Sequence, residues 1–234
     1  MIAYSTYCPI AKAAEILTER WTLLVLRDML MGACRFNDFR RSIPLMTPAI
    51  LSKRLKTLQE VGIIQRVPCD KAGVWEYRLT EAGSQLKPLI DATGEWGQRW
   101  ARSKLPQGEL HPSTLIWDIH RFLKTESLPA RRTVLHIEFT DVAKMRLWWL
   151  VVQAGQVDVC LEDPGYEVDL TIRCNLLTLT RVFMGDMSIE RARGLGKLQL
   201  AGNPLLIKTM SRWFGLMPFS GVTPGIAERM VDSR

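Results

Sequence analysis

An α+β fold in two parts is the class this sequence predicts, and three observations predict it. The first hundred residues string short helical patterns around one β-prone pair. A polar stretch with helix breakers, 103–113, interrupts the chain, and the remainder carries four β-rich runs before a helical end. The expected domains are residues 1–104 and residues 112–234. With 234 residues, 47% hydrophobic and 24% charged, the chain is long enough for two cores.

Ile10, Ala13, Ala14 and Leu17 recur at helical spacing behind Pro9, a residue suited to a first helical turn, so a short amphipathic helix is expected there. Trp21 to Met31 is apolar except for Arg27 and Asp28 and is followed by Gly32, the pattern of a largely buried second helix. Phe36, Phe39 and Ile43 mark a third helix that Pro44 ends. A fourth opens with Thr47 as N-cap and Pro48 at its first position, sets Leu51, Leu55 and Leu58 on one stripe, and stops at Gly62. Ile63–Val67 and Val74–Leu79 flank Cys69, Asp70, Lys71, Ala72 and Gly73 as a hairpin with a basic tip. From Thr80, the spacing of Leu86, Leu89, Ile90, Thr93, Trp96 and Trp100 predicts one further helix.

In the second half, Thr114–Lys124 reads as a helix. Strands are expected at Thr133–Thr140, Leu147–Gln153, Gln156–Glu162 and Glu167–Arg173, with a hairpin turn at Ala154-Gly155. Leu176–Met184, Ser188–Arg193 and Pro204–Phe214 read as helices.

The net charge of +7 is distributed unequally. Residues 1–104 hold 16 Lys and Arg against 10 Asp and Glu, and the rest hold 15 against 14. A polyanion partner for the first part follows, because Lys and Arg neutralise phosphates and release counterions. A helix that reads the major groove needs one face fixed to the protein and another presenting short polar or basic side chains. With Leu51, Leu55 and Leu58 inward, Ala49, Ser52, Lys53 and Lys56 fall on the outer side of the fourth helix. Arg54 lies nearer the core edge, where it could brace a neighbour or reach a phosphate. Arg35, Arg40, Arg41 and the wing-tip Lys71 complete the candidate DNA contacts, together with Thr47 and Pro48 at the helix start. A solvated basic face on a surface helix is the competing reading of that helix alone.

Cys8-Pro9-Ile10, Trp21-Thr22-Leu23-Leu24-Val25-Leu26-Arg27-Asp28, Arg35-Phe36-Asn37-Asp38-Phe39, Leu51-Ser52-Lys53-Arg54-Leu55 and Glu76-Tyr77-Arg78-Leu79-Thr80-Glu81-Ala82-Gly83 together resemble the HxlR-type winged helix-turn-helix regulators over about Cys8 to Trp100. The resemblance implies a homodimer joined through the first and last helices of the domain, each recognition helix entering one half-site of an inverted repeat in double-stranded DNA. Leu45 stands where the family often has Gly, and Ala72-Gly73-Val74 lacks the prolines common in its wing. The second half is similar to the sterol-carrier-protein-like α+β domains that some of these regulators carry, which implies an apolar pocket for a small ligand.

Cys8 begins a helix, where the macrodipole favours a reactive thiolate, and some family members with a matching cysteine use it as an oxidant or electrophile sensor. A small residue seating the N-terminus is the other reading, and Cys34 raises the same pair of alternatives. Trp96 and Trp100 are one turn apart and are candidates for the dimer seam. Trp148 and Trp149, adjacent on a strand, face opposite ways, so one is expected to enter the core or a ligand pocket.

Five cysteines without a close pair, and His111, His120 and His136 without ligand spacing, suggest neither disulfides nor a metal site. No phosphate loop, nucleophile elbow or paired carboxylates appear, so no cofactor is expected and an enzyme has no candidate residues. The densest apolar run, Leu147–Val152, falls far short of the roughly 20 residues a membrane span needs. Met1–Cys8 does not read as a secretory signal, and the expected location is the cytoplasm. A lipid or apolar-ligand carrier whose basic half is incidental is the alternative function.

Overall fold

Pro9, Pro48, Pro112 and Pro204 each occupy the first turn of a helix, where a missing N–H costs no hydrogen bond and the fixed φ is already helical. The computed structural model describes residues 7–69, 73–101, 110–223 and 225. It divides into two units, Met1–Trp96 and Gly97–Arg234, each with its own core. The expected interdomain stretch lies largely outside the described residues.

The first unit runs α1 (Pro9–Leu17), α2 (Thr22–Leu30), α3 (Phe36–Ser42), α4 (Pro48–Glu60), β1 (Ile64–Pro68), β2 (Trp75–Leu79), α5 (Glu81–Ser84) and α6 (Lys87–Trp96). Val25 and Leu26 of α2, Phe39 of α3 and the Leu51–Leu55–Leu58 stripe of α4 form its centre, each no more than 1% exposed. α4 ends as its sequence indicates: Gly62 adopts a φ of 73°, and the N–H of Ile63 turns back to the Leu58 carbonyl. β1 and β2 pair antiparallel with Ile64 opposite Leu79.

The single helix expected from Thr80 is broken in two. Thr80 caps α5, accepting from the Gly83 N–H at 3.2 Å. Pro88 then has no N–H to give the Ser84 carbonyl, so α6 starts afresh at Lys87. Gly97–Ala101 follow as a π-helical turn.

The second unit contains α7 (Pro112–Phe122), β3 (Thr133–Phe139), β4 (Leu147–Gln153), β5 (Gln156–Cys160), β6 (Leu170–Cys174), α8 (Leu176–Phe183), α9 (Ile189–Gly194), β7 (Leu198–Gly202), α10 (Pro204–Lys208) and α11 (Met210–Trp213). Its sheet has the order β5-β4-β3-β6-β7, antiparallel except for β3 beside β6. Ala154 and Gly155, both at positive φ, turn β4 into β5. One sheet face packs Ile137, Phe139, Trp148, Leu150 and Ile172 against the helices, and Val134, Trp149 and Val151 form a smaller cluster on the other.

Two features depart from the sequence expectation. β7 was not anticipated: it is a short edge strand between Gly196 and Gly202, joined only to β6 and mostly uncovered. The helix expected over Pro204–Phe214 divides at Thr209, and the Trp213 indole N–H donates to the Leu206 carbonyl at 3.0 Å.

Candidate nucleic-acid interface

The helix-turn-helix is held by polar groups inside an apolar shell. Asp28, fully buried on α2, pairs with Arg27 at 2.8 Å and accepts from the Ser42 hydroxyl at the end of α3. A buried carboxylate is tolerable only when paired and hydrogen-bonded, and this contact ties the end of α3 to α2. Asp38 starts the same helix, its carboxylate accepting from the backbone N–H of Arg35 at 2.8 Å and of Cys34 at 3.2 Å. After the turn, the Thr47 hydroxyl accepts from the Ile50 N–H at the start of α4.

On α4 the structure places Ala49, Ser52, Lys53 and Lys56 together on an exposed face, opposite the buried leucines. Thr47 and Pro48 are exposed at its start, and Arg40 and Arg41 are exposed on α3. Lys56 pairs with Glu60 at 3.7 Å, but both side chains are largely in solvent, where such a pair contributes little and yields readily to a phosphate.

Arg54 requires a correction as a DNA contact. Its side chain is buried and bonds Glu19, in the α1–α2 turn, at 2.8 Å. Position 54 lies one residue before Leu55 on the stripe's inner edge, so its guanidinium faces the protein rather than the exposed side of α4. Arg54 is therefore a positioning residue that ties α4 to the start of the domain.

Arg35 is exposed but engaged: Glu76 of β2 accepts from it at 3.4 Å and from Arg78 at 3.3 Å. Hydrogen bonds from the Cys69 thiol and Arg78 hold the Glu76 carboxyl below the usual range, and the bond to Glu76 raises Arg35. The pair joins the start of α3 to the hairpin. Arg66 stacks over the Trp75 ring at 4.6 Å on that hairpin. Lys71 lies outside the described residues.

Burial pushes the Cys34 thiol up, with Glu76 and Asp38 adding to it, the opposite of an activated thiolate. Cys8 is half-buried at the N-cap of α1. Trp96 is 60% exposed on α6, whereas Trp100 lays its ring against the Gly225 backbone and keeps 43% of its surface open. Trp148 is a core side chain, 1% exposed, donating its indole N–H to the Met145 carbonyl, the core alternative of the two expected and not a pocket position. Trp149, on the opposite sheet face, is 8% exposed and stacked on His136 at 4.8 Å, in the smaller cluster with Val134 and Val151.

Glu19, Asp28, Ser42 and Glu76 are the positioning residues that the sequence did not reveal as such. For Asp28 there was a signal, a carboxylate inside an apolar helix. Among the described residues no group of three or more His, Cys, Asp or Glu is disposed to hold a metal, and no helix is long and apolar enough to cross a membrane.

Comparison with known proteins places this geometry. Residues 16–105 match the HxlR-like helix-turn-helix family. The HTH-type transcriptional regulator YvaP of Bacillus subtilis is 34% identical over 98 residues, which cover 41% of this chain and 91% of YvaP. The chain belongs to the HxlR-like helix-turn-helix family. Residues 124–215 of this family member match the SCP-2 sterol transfer family, in keeping with the sheet-and-helix second unit. An HTH-type transcriptional regulator of Mycobacterium bovis is 40% identical over 107 residues, 45% of this chain, which spans only 65% of that relative's length. Among solved structures, the reduced form of the transcriptional regulator YodB from B. subtilis aligns at 28% identity with a TM-score of 0.36, covering 40% of this chain and 93% of YodB.

Proposed function

We propose that this HxlR-like chain is a transcriptional regulator that binds an inverted-repeat operator as a homodimer, with α4 in the major groove. The observation that carries the reading is the division of α4: Leu51, Leu55 and Leu58 are buried, and Ala49, Ser52, Lys53 and Lys56 stand out together. Small residues allow the helix to approach base edges, and the flanking lysines meet phosphates. Thr47, Pro48, Arg40, Arg41 and Lys71 extend the proposed contact, and Arg35 reaches it from the Glu76 bridge.

The dimer rests on apolar surface that one chain leaves uncovered. α1 is amphipathic yet has no buried residue, with Ile10 80% exposed, and α6 shows Leu89 and Trp96 to solvent. Burying such surfaces against a second copy is favourable at roughly 25 cal/mol per Å² of apolar area. An inverted repeat requires such a dimer to hold its two reading helices about 34–36 Å apart, one turn of DNA. The second unit is proposed as a small-ligand module that biases the dimer between two arrangements, which requires different ligand affinities for the two. We place the work in the cytoplasm, with no catalytic step; Cys8 at the α1 N-cap is the proposed site if a thiol signal acts.

Selecting bound fragments from the source genome and titrating them by fluorescence anisotropy tests the reading. An inverted repeat bound by two chains is the expected result; failure to enrich any sequence, or binding by a single chain, would overturn it.

A further inference from the structure

The second unit contains a half-open pocket of about 210 Å³ at the junction of α8, α9 and α11. Val182, Met187, Ile189, Phe214 and Leu216 supply apolar walls, and Ser188, Glu190 and Ser211 bring hydroxyls and a carboxylate to it. Val182, Ile189 and Phe214 are buried side chains, whereas Leu216 is 44% exposed at the mouth.

Size restricts what can enter. An apolar cavity of roughly 150 Å³ accepts benzene, and drug-sized ligands occupy roughly 300–1,000 Å³. This pocket therefore covers one ring with a small substituent, and the four fused rings of a sterol would leave most of their surface outside it. Nor does it extend into the space between helices and sheet: Trp148, Trp213, Phe139 and Leu179 fill that space and are each no more than 1% exposed.

Polarity restricts the substituent. The Ser188 oxygen already accepts from the Arg191 N–H, so its own hydroxyl is a donor and one further lone pair an acceptor. The Glu190 carboxylate accepts only and repels an anion. A ring carrying a neutral hydroxyl satisfies both demands, donating to Glu190 or Ser211 and accepting from Ser188. A ring carrying a carboxylate meets a like charge, which solvent weakens because Glu190 is exposed at the rim.

We propose that this pocket binds a single-ring aromatic alcohol, with the ring between Val182, Ile189 and Phe214 and the hydroxyl at the Ser188–Glu190–Ser211 rim. The proposal gives the ligand class for the small-ligand module argued above and rests on that reading for its regulatory meaning alone.

Calorimetric titration of phenol, benzoate and a cyclodextrin-solubilised sterol into the full chain without DNA decides it. Saturable one-to-one binding of phenol is expected, with benzoate several-fold weaker and the sterol unable to displace phenol. Leu216→Trp, a change at an exposed position, should plug the mouth and weaken phenol at least tenfold with the thermal midpoint unchanged. Glu190→Gln should narrow the gap between phenol and benzoate to less than threefold. Absence of saturable phenol binding, equal affinity in the Leu216→Trp chain, or displacement by the sterol would overturn the proposal. Because binding is read without DNA, an operator affinity indifferent to bound phenol counts against the module's regulatory role and not against the pocket.

Discussion

Lys53 and Lys56 differ from Arg54 by one or two positions and by everything that matters physically. The lysines extend into solvent from the outer face of α4, and the arginine is buried against Glu19. Replacing both lysines with Ala should weaken operator binding and make the slope of log affinity against log salt about 2 less steep, since roughly 0.9 is lost per phosphate contact. An unchanged slope in a folded double variant would remove α4 as the reader. Arg54→Ala should act on stability instead. Glu19 keeps 39% of its side chain in solvent, which discounts the pair, so a loss of about 1–3 kcal/mol is expected in urea unfolding. If Arg54→Ala leaves stability intact and lowers DNA affinity, Arg54 is a contact and not a brace. The distinction was only half legible in the sequence. Heptad-like leucine spacing shows which side of α4 is inward, but the partner of a residue at the stripe's edge lies 35 positions away, and no local pattern encodes it.

For whole elements, periodicity was informative wherever an element buries one face within its own unit. α2, α3, α4 and the β1–β2 pair lie within a few residues of their sequence-derived positions, because the stripe that makes the helix also makes the core. It failed where a local bond overrides the stripe: Pro88 splits α5 from α6, and the pattern of Leu86, Leu89, Ile90 and Thr93 runs through the break. β7 was missed because its alternation, Leu198-Gln199-Leu200, lasts only three residues between two glycines, too short a pattern to mark a strand. α1 and α6 are a different case, being amphipathic with little of their apolar face covered, and their remaining partner is proposed to be a second chain. Trp96→Ala should accordingly shift the dimer toward monomers in light scattering, by tenfold or more in dissociation constant, as truncation of a central aromatic anchor commonly costs at least about 2 kcal/mol. Trp96 is 60% exposed in the single chain, so the variant's monomer should unfold at nearly the same denaturant concentration. A drop in monomer stability without any shift in assembly would place Trp96 in intrachain packing.

At the scale of the whole molecule, two cores share one chain, and their chemistry responds to pH differently. The first is held by carboxylates that already carry partners, Asp28 with Arg27 and Ser42, Glu76 with Arg35 and Arg78. The second contains His136, stacked on Trp149, with its Nε2 buried and unpartnered. Burial pushes His136 below the ordinary histidine range, and the negative charges of Glu138 and Asp163 oppose that shift without cancelling it. A base whose folded pKa is depressed binds fewer protons folded than unfolded, so stability rises with pH across the interval between the two values. The contribution is complete above the unfolded value near 6.5 and is lost as pH falls through that value toward the folded one. His111, also lowered by burial, adds in the same direction. Thermal unfolding should therefore show the second unit losing stability between pH 7 and pH 5, with a slope that flattens in His136→Gln, where no proton can be taken up. A wild-type midpoint independent of pH over that range, or an identical loss in the Gln variant, would show that His136 is not the group that titrates.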